Sequence, residues 1–217
     1  MKIEFKYKND DIKINGHLGD YITNTIDSSK KFYEQNLLEY IGSRFTGGNA
    51  LDIGANIGNH SIYFSKFVFD KTFAFEANEN NFKLLSKNKK DNNINDELYI
   101  YHTALSDGKY KFKSDDIVAN MGANTVLEGE GDLITTKIDD YPLPKIDFIK
   151  IDVERHELKV LKGADNLIKR DFPEIVLECT ANTASDFKII APHLKDLGYE
   201  PINSFSSNAL IYFVKHY

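Results

Sequence analysis

The sequence predicts an α/β fold, a mostly parallel sheet with helices on both faces and a β-hairpin ahead of it. Three observations carry that expectation. From residue 49 onward, apolar runs of strand length alternate with helical patterns, as in parallel strands joined by right-handed crossovers. Ala50-Leu51-Asp52-Ile53-Gly54 reads as a buried strand entering a turn with Gly54 and Gly58 four apart, and Ser61 to Phe67 then reads as a helix. Thr72-Phe73-Ala74-Phe75-Glu76 is a second apolar strand, and its closing acid lies 24 residues beyond Asp52.

The elements follow in order. Ile3, Phe5 and Tyr7 share one face of an extended segment, Asn9-Asp10-Asp11 is a turn, and Ile12 and Ile14 resume the alternation. That is a hairpin, followed by a polar linker to Ser28-Ser29. Tyr33, Leu37 and Ile41 mark one face of a helix that Gly47-Gly48 ends. Strands are expected near 49–54, 72–76, 98–104, 146–152, 173–179 and 199–203, with a reversed closing strand at 209–214. Helices are expected near 59–68, 79–90, 156–169 and 184–197. The Asn- and Lys-rich stretch from Asn78 to Asp96 reads as compositional drift on an exposed helix. Residues 115–132 carry three glycines and little periodicity. So long a loop fits a lid over an acceptor, or an insertion without one.

Composition sets the bounds. The chain has 217 residues, and α/β folds of about 200–250 residues are commonly one unit. Residues 1–28 are expected as hairpin and linker and 29–217 as a single domain. Net charge is −6 with basic residues scattered among acids, so no concentrated cationic footprint for nucleic acid exists. The single cysteine, Cys179, excludes an internal disulfide and lies in an apolar strand as an inert thiol. Met1 to Lys8 lacks the apolar core of a signal peptide, and no run is long enough to span a membrane. A cytoplasmic location is the expectation. The hairpin fits either a dimer contact or a cap on the domain.

The chemistry is read from the turns. A dinucleotide fingerprint places glycine where Asp52 stands, so that backbone N–H groups approach a pyrophosphate. A carboxylate there repels phosphate and suits a ligand bearing an ammonium and a sulfonium, which describes S-adenosylmethionine. Glu76 is placed to grip the ribose hydroxyls of such a cofactor; helix capping and a solvated strand end are the plainer readings of the two acids. The expected cofactor contacts are Asp52 at the amino-acid end, the backbone of Gly54, Ala55, Asn56, Gly58 and Asn59, then Glu76, Ala77 and Asn78. Thr103 and Ala104, following His102, are expected beside adenine, and Asp152 near the methionine end.

A second constellation lies in Phe148-Ile149-Lys150-Ile151-Asp152-Val153-Glu154-Arg155-His156-Glu157, an apolar strand opening into titratable groups before a helix. Acids at a helix start are stabilised by its dipole at about 0.3–1 kcal/mol each. A histidine there is held neutral, the form a general base needs. His156 is therefore the expected base, with Glu154 orienting it and Asp152 beside the donor methyl. Asp152 and Glu178 offer two metal oxygens without a third ligand, so no metal is expected.

Asp52-Ile53-Gly54-Ala55-Asn56-Ile57-Gly58 and Lys150-Ile151-Asp152-Val153-Glu154-Arg155-His156-Glu157, continued by Leu161, Gly163 and Ala164, resemble the paired motifs of the FkbM-type methyltransferase family. Phe32-Tyr33-Glu34, Ala104-Leu105-Ser106-Asp107 and Pro173 to Glu178 extend the likeness over roughly residues 30–180. The resemblance implies a Rossmann-like class I methyltransferase fold with seven strands, and S-adenosylmethionine-dependent methylation of a sugar or other small-molecule or glycan hydroxyl. One position departs: Arg155 stands where the family carries glycine. A positive φ there would cost about 1 kcal/mol. The guanidinium fits an anionic acceptor, or marks a site that binds cofactor without turnover. A non-catalytic cofactor-binding homologue and a nicotinamide oxidoreductase are the competing functions.

Overall fold

The computed structural model describes residues 1–114, 126–128, 133–153, 155–178, 184–205 and 210–215. The hairpin is β1 (Lys2–Tyr7) and β2 (Asp10–Asn15), paired antiparallel with Phe5 opposite Ile12 and Ile3 opposite Ile14. The expected polar linker contains a helix, α1 (Tyr21–Ser29). Asp20 caps it, accepting from the Thr23 amide and hydroxyl. The apolar pattern was too sparse to show it; Ile26 is its only fully buried aliphatic.

Next come α2 (Gln35–Arg44), β3 (Asn49–Ile53), α3 (Asn59–Phe67), β4 (Lys71–Glu76), α4 (Glu79–Asp91) and β5 (Leu98–His102). Short strands β6 (Lys111–Ser114), β7 (Val126–Glu128) and β8 (Leu133–Ile134) form a three-stranded antiparallel sheet, with β6 and β8 flanking the stretch at 115–132 that the sequence presented as irregular and β7 inside it. The expected lid falls largely on residues outside the description. The chain resumes with β9 (Phe148–Ile151), α5 (Glu157–Lys162), α6 (Asp165–Asp171), β10 (Glu174–Glu178), α7 (Ala184–Asp196), β11 (Tyr199–Phe205) and β12 (Leu210–Lys215).

The main sheet runs β11-β12-β10-β9-β3-β4-β5. Five neighbours, β10 to β5, are parallel, and β12 lies antiparallel between β10 and β11. Beside the hairpin and main-sheet strands expected from sequence, the chain thus adds the small three-stranded sheet. Side chains alternate across the sheet. Leu51, Ile53, Phe73, Phe75, Ile149, Ile151, Ile175 and Leu177 pack on the face covered by α5, α6 and α7. Ala50, Ala74, Phe148 and Val176 face α2, α3 and the hairpin. Asp52 and Lys150 share this second face by the same period of two.

Two expectations change. The helix expected at 156–169 breaks into α5 and α6 around Gly163-Ala164. There a Cβ on Gly163 would stand 2.0 Å from the Ser106 carbonyl oxygen, so this backbone approach demands glycine. The Asn-rich α4 is not merely exposed: Asn81, Asn88 and Asn92 are buried. Asn88 Oδ1 accepts from the Asn15 amide at 2.6 Å, its Nδ2 donates to the Asn15 and Ile57 carbonyls, and Asn92 Oδ1 and Nδ2 bond the backbone of Lys13. These side chains tie the hairpin to the sheet domain by satisfying edge backbone that would otherwise be buried without partners.

Candidate active site

The carboxyl ends of β3, β4 and β9 converge at one edge. The parallel register sets Asp52 of β3 opposite Lys150 of β9 on the same face. Asp52 is fully buried, takes the Ser61 hydroxyl on Oδ2, and has Oδ1 3.5 Å from Lys150 Nζ. Lys150, 2 % exposed, also lies 3.3 Å from Asp152 Oδ2 and 3.4 Å from the Gly54 carbonyl. Burial alone would lower the Lys150 pKa, but Asp152, Asp52 and Glu34 around it raise it instead. Burial pushes Asp152 up, and Lys150, a hydrogen bond with Glu178 and His60 together reverse this, holding its carboxyl below the usual range. The array is a charge-compensated stack, not the bare Asp52 carboxylate that the sequence suggested.

Above it runs the glycine turn. Gly54 has φ +78, and a Cβ there would stand 1.8 Å from the Asp152 carbonyl oxygen. Only glycine lets the two strand ends meet this closely. The Gly54 and Ala55 amides both donate to the Phe75 carbonyl, and Gly58, at φ +89, opens α3. Asn56 sits at φ +51, and its amide donates to Glu76 Oε2 at 2.7 Å. Glu76 Oε1 accepts from the Asn78 amide at 2.7 Å. Burial drives the Glu76 carboxyl up to about 7 against these two backbone donors.

The first turn of α3 sends three adjacent side chains to three partners. Asn59 clamps Tyr33, accepting from its amide and donating to its carbonyl, each at 3.0 Å. His60 Nε2 stands 3.2 Å from Glu34 Oε2, and Ser61 holds Asp52. Asn59, expected at the cofactor, thus has its amide committed to the chain ahead of α2. Asn78 likewise caps α4 through the Asn80 and Asn81 amides. Ala77 accepts from His102, whose ring stacks on Phe82 with centroids 4.9 Å apart. The Thr103 amide donates to the Glu76 carbonyl, and Ala104 is buried beside it.

On the far side of β9, His156 precedes α5, nearly buried, with Nε2 3.0 Å from the Ser106 hydroxyl. Ser106 is fully buried and is set in place by the approach of Gly163 to its carbonyl. Glu154, the expected orienting partner, lies outside the described residues, as does Cys179; Ser106 is the partner the structure shows. Glu157 turns inward to accept from the Arg155 amide at 3.1 Å and the Val153 amide at 3.4 Å, and burial raises its carboxyl to about 6. Arg155 has φ +73, so the side chain stands on a left-handed backbone at the position where the family carries glycine. Sequence reasoning missed Glu34, His60, Ser61 and Ser106, and gave Lys150 no role. A lysine inside an otherwise apolar strand was the available signal, since such a charge is buried only when paired. Among the described residues no group of three or more His, Cys, Asp or Glu is arranged to hold a metal ion. No helix of the described residues is long and apolar enough to cross a membrane.

A mainly parallel sheet with a reversed strand next to its edge and a glycine turn at its first carboxyl tip defines the class I methyltransferase fold. Solved structures agree on the fold. An FkbM methyltransferase from Methylobacillus flagellatus superposes with TM-score 0.56 at 16% identity, covering 89% of this chain and 53% of that one. A methyltransferase from Streptococcus mutans, solved with S-adenosylhomocysteine, gives TM-score 0.53 at 9% identity over 82% of this chain and 94% of that one. The methyltransferase FkbM domain model matches residues 52–201, and the chain belongs to that family. The hexuronic acid methyltransferase AglP of Haloferax volcanii is 33% identical over 122 residues, covering 54% of this chain and 50% of AglP. The match thus spans about half the length of that relative.

Proposed function

We propose that this chain is an S-adenosylmethionine-dependent O-methyltransferase acting on a hydroxyl of a sugar or other small glycan acceptor. The observation that carries the reading is the charge at the sheet's carboxyl edge. Glu34, Asp52 and Asp152 gather there around one lysine, Lys150. A pyrophosphate would meet this excess of carboxylates with repulsion, whereas a donor with ammonium and sulfonium centres meets attraction. The residues present suit such a donor: the left-handed Gly54 and Gly58 leave backbone rather than side chains at the strand tip, and the carboxylates beside it outnumber the cations. Glu76 lies at the tip of β4, where ribose hydroxyls would replace its backbone donors, and Thr103 and Ala104 flank the adenine side.

When bound, S-adenosylmethionine supplies a methyl carbon already activated by its sulfonium. The chain's own part is alignment and proton removal, which contribute about 7–11 kcal/mol and a factor of about 10²–10⁴. His156, held by Ser106, takes the acceptor's hydroxyl proton. Arg155, the preceding residue, is exposed, and a guanidinium suits a carboxylate on the acceptor. AglP's hexuronic acid carries such a group, which supports an anionic sugar as acceptor.

The test pairs calorimetry with turnover. Wild-type protein should bind S-adenosylhomocysteine and not NAD, and should transfer labelled methyl to a uronic acid more readily than to the neutral hexose. His156→Ala should lower turnover about 10²-fold or more and leave S-adenosylhomocysteine affinity within about threefold. Unchanged turnover removes His156 from the mechanism.

A further inference from the structure

The residue ahead of α2 and the first turn of α3 meet in a carboxylate–imidazole pair to which the proton transfer as described gives no role. Glu34 Oε2 and His60 Nε2 lie 3.2 Å apart, with side chains 16 % and 9 % exposed. Glu34 is unusual in three ways. Its φ is +56, a left-handed conformation that a non-glycine residue keeps only when its surroundings impose it. The Asn59 clamp on the Tyr33 backbone is that constraint. Glu34 also occupies the N-cap of α2 yet makes no side-chain capping bond, the ordinary use of an acid at that place. Finally, Glu34 acts electrostatically on Lys150, and His60 on Asp152, so the pair borders the charged stack beneath the glycine turn.

Asp52 is badly placed to meet a ligand. It is fully buried, with Ser61 on one oxygen and Lys150 beside the other. Around Lys150 the carboxylates that retain exposure are Glu34 and Asp152, the latter 30 % exposed. The geometry points to Glu34, oriented by His60, as the residue that receives the ammonium of the methyl donor's amino-acid end, in place of Asp52. This inference rests on the proposed function. His60 Nε2 makes no well-aligned hydrogen bond and stands against Glu34 Oε2. It borders the carboxylate on one side, 3.2 Å from Oε2, and the ammonium contact is made through Glu34. Asp52 and Lys150 then act from below, holding the strand ends that carry the turn.

Titration calorimetry with S-adenosylhomocysteine and with 5′-methylthioadenosine tests this, because the second ligand keeps adenosine and sulfur but lacks the amino-acid end. Glu34→Gln keeps the shape and removes the charge. It should weaken S-adenosylhomocysteine about 10- to 100-fold, the range of one charge-assisted hydrogen bond, and leave methylthioadenosine within twofold. Retained methylthioadenosine binding is also the control for folding, and Glu34→Asp should recover part of the lost affinity. An equal loss for both ligands would mean Glu34 only shapes the pocket, and an unchanged S-adenosylhomocysteine affinity would exclude the contact; either overturns the inference. Wild-type protein that binds neither ligand overturns it together with the proposed function, which separates the two failures.

Discussion

Replacing Lys150 with methionine keeps the volume of the side chain and removes its charge from the stack between β3 and β9. In the folded protein this leaves Asp52, with no exposed surface, facing Asp152 without the cation 3.5 Å and 3.3 Å from their oxygens. Removing one partner of a buried ion pair typically costs about 3–5 kcal/mol, because the remaining charge is left uncompensated. For a chain of this size each kcal/mol moves the melting midpoint by about 2–4 °C, so Lys150→Met should melt about 6–20 °C lower. Thermal and urea unfolding followed by circular dichroism at pH 7 provides the measurement. The acid limb adds a signature. Asp152 is held below its ordinary pKa by Lys150, so its contribution is complete above about pH 4 and is lost as pH falls through the lowered value. Lys150→Met should shrink that acid-side loss, since Glu178 and His60 still act on Asp152. Adding Asp52→Asn to Lys150→Met should recover part of the deficit, since a neutralised pair costs less than a broken one. A single variant that melts within about 2 °C of wild type would refute the claim that the charges in this stack compensate one another.

Two further outcomes follow from residues nearby. Arg155→Gly removes the left-handed strain at φ +73 and should raise the urea midpoint by the equivalent of about 1 kcal/mol with an unchanged m-value, while turnover on anionic acceptors falls; a lower midpoint would show that the guanidinium stabilises the fold. Glu76 holds its proton up to about pH 7 when folded, against 4.5 ordinarily. The folded state therefore binds more protons than the unfolded one in that window, and stability should decline as pH rises from about 4.5 to about 7. Glu76→Gln should flatten that slope in a pH series of urea titrations, and a slope unchanged from wild type would sink the assignment.

Much of this architecture is legible in the chain because its rules are local. The strand–turn–helix at residues 50–67 and the alternation of β4, β5, β9 and β10 follow from periodicity, and the glycine at position 54 from the turn it must make. What escaped had a non-local cause. The break between α5 and α6 depends on Ser106, more than fifty residues earlier, whose backbone nothing in the helical pattern announces. The buried asparagines of α4 look like surface until the hairpin they bind is placed on them. Asp52 read as a ligand-facing charge because its partner, Lys150, is brought beside it by the sheet register. The same register explains why a lysine tolerates a β-strand core: its three oxygen neighbours replace water. Glu34 and His60, 26 residues apart, meet only because the segment ahead of α2 folds over the mouth of the glycine turn.

The position of β12 has a consequence for how the chain is made. Strand β11 leaves the ribosome before β12, yet among the described residues its neighbour in the sheet is β12, which follows it in synthesis and must enter between β11 and β10. Until that last hairpin inserts, β10 presents a bare hydrogen-bonding edge beside the charged mouth of the domain. The half that carries the candidate site can thus be laid down early, but its flank stays open until β12 joins.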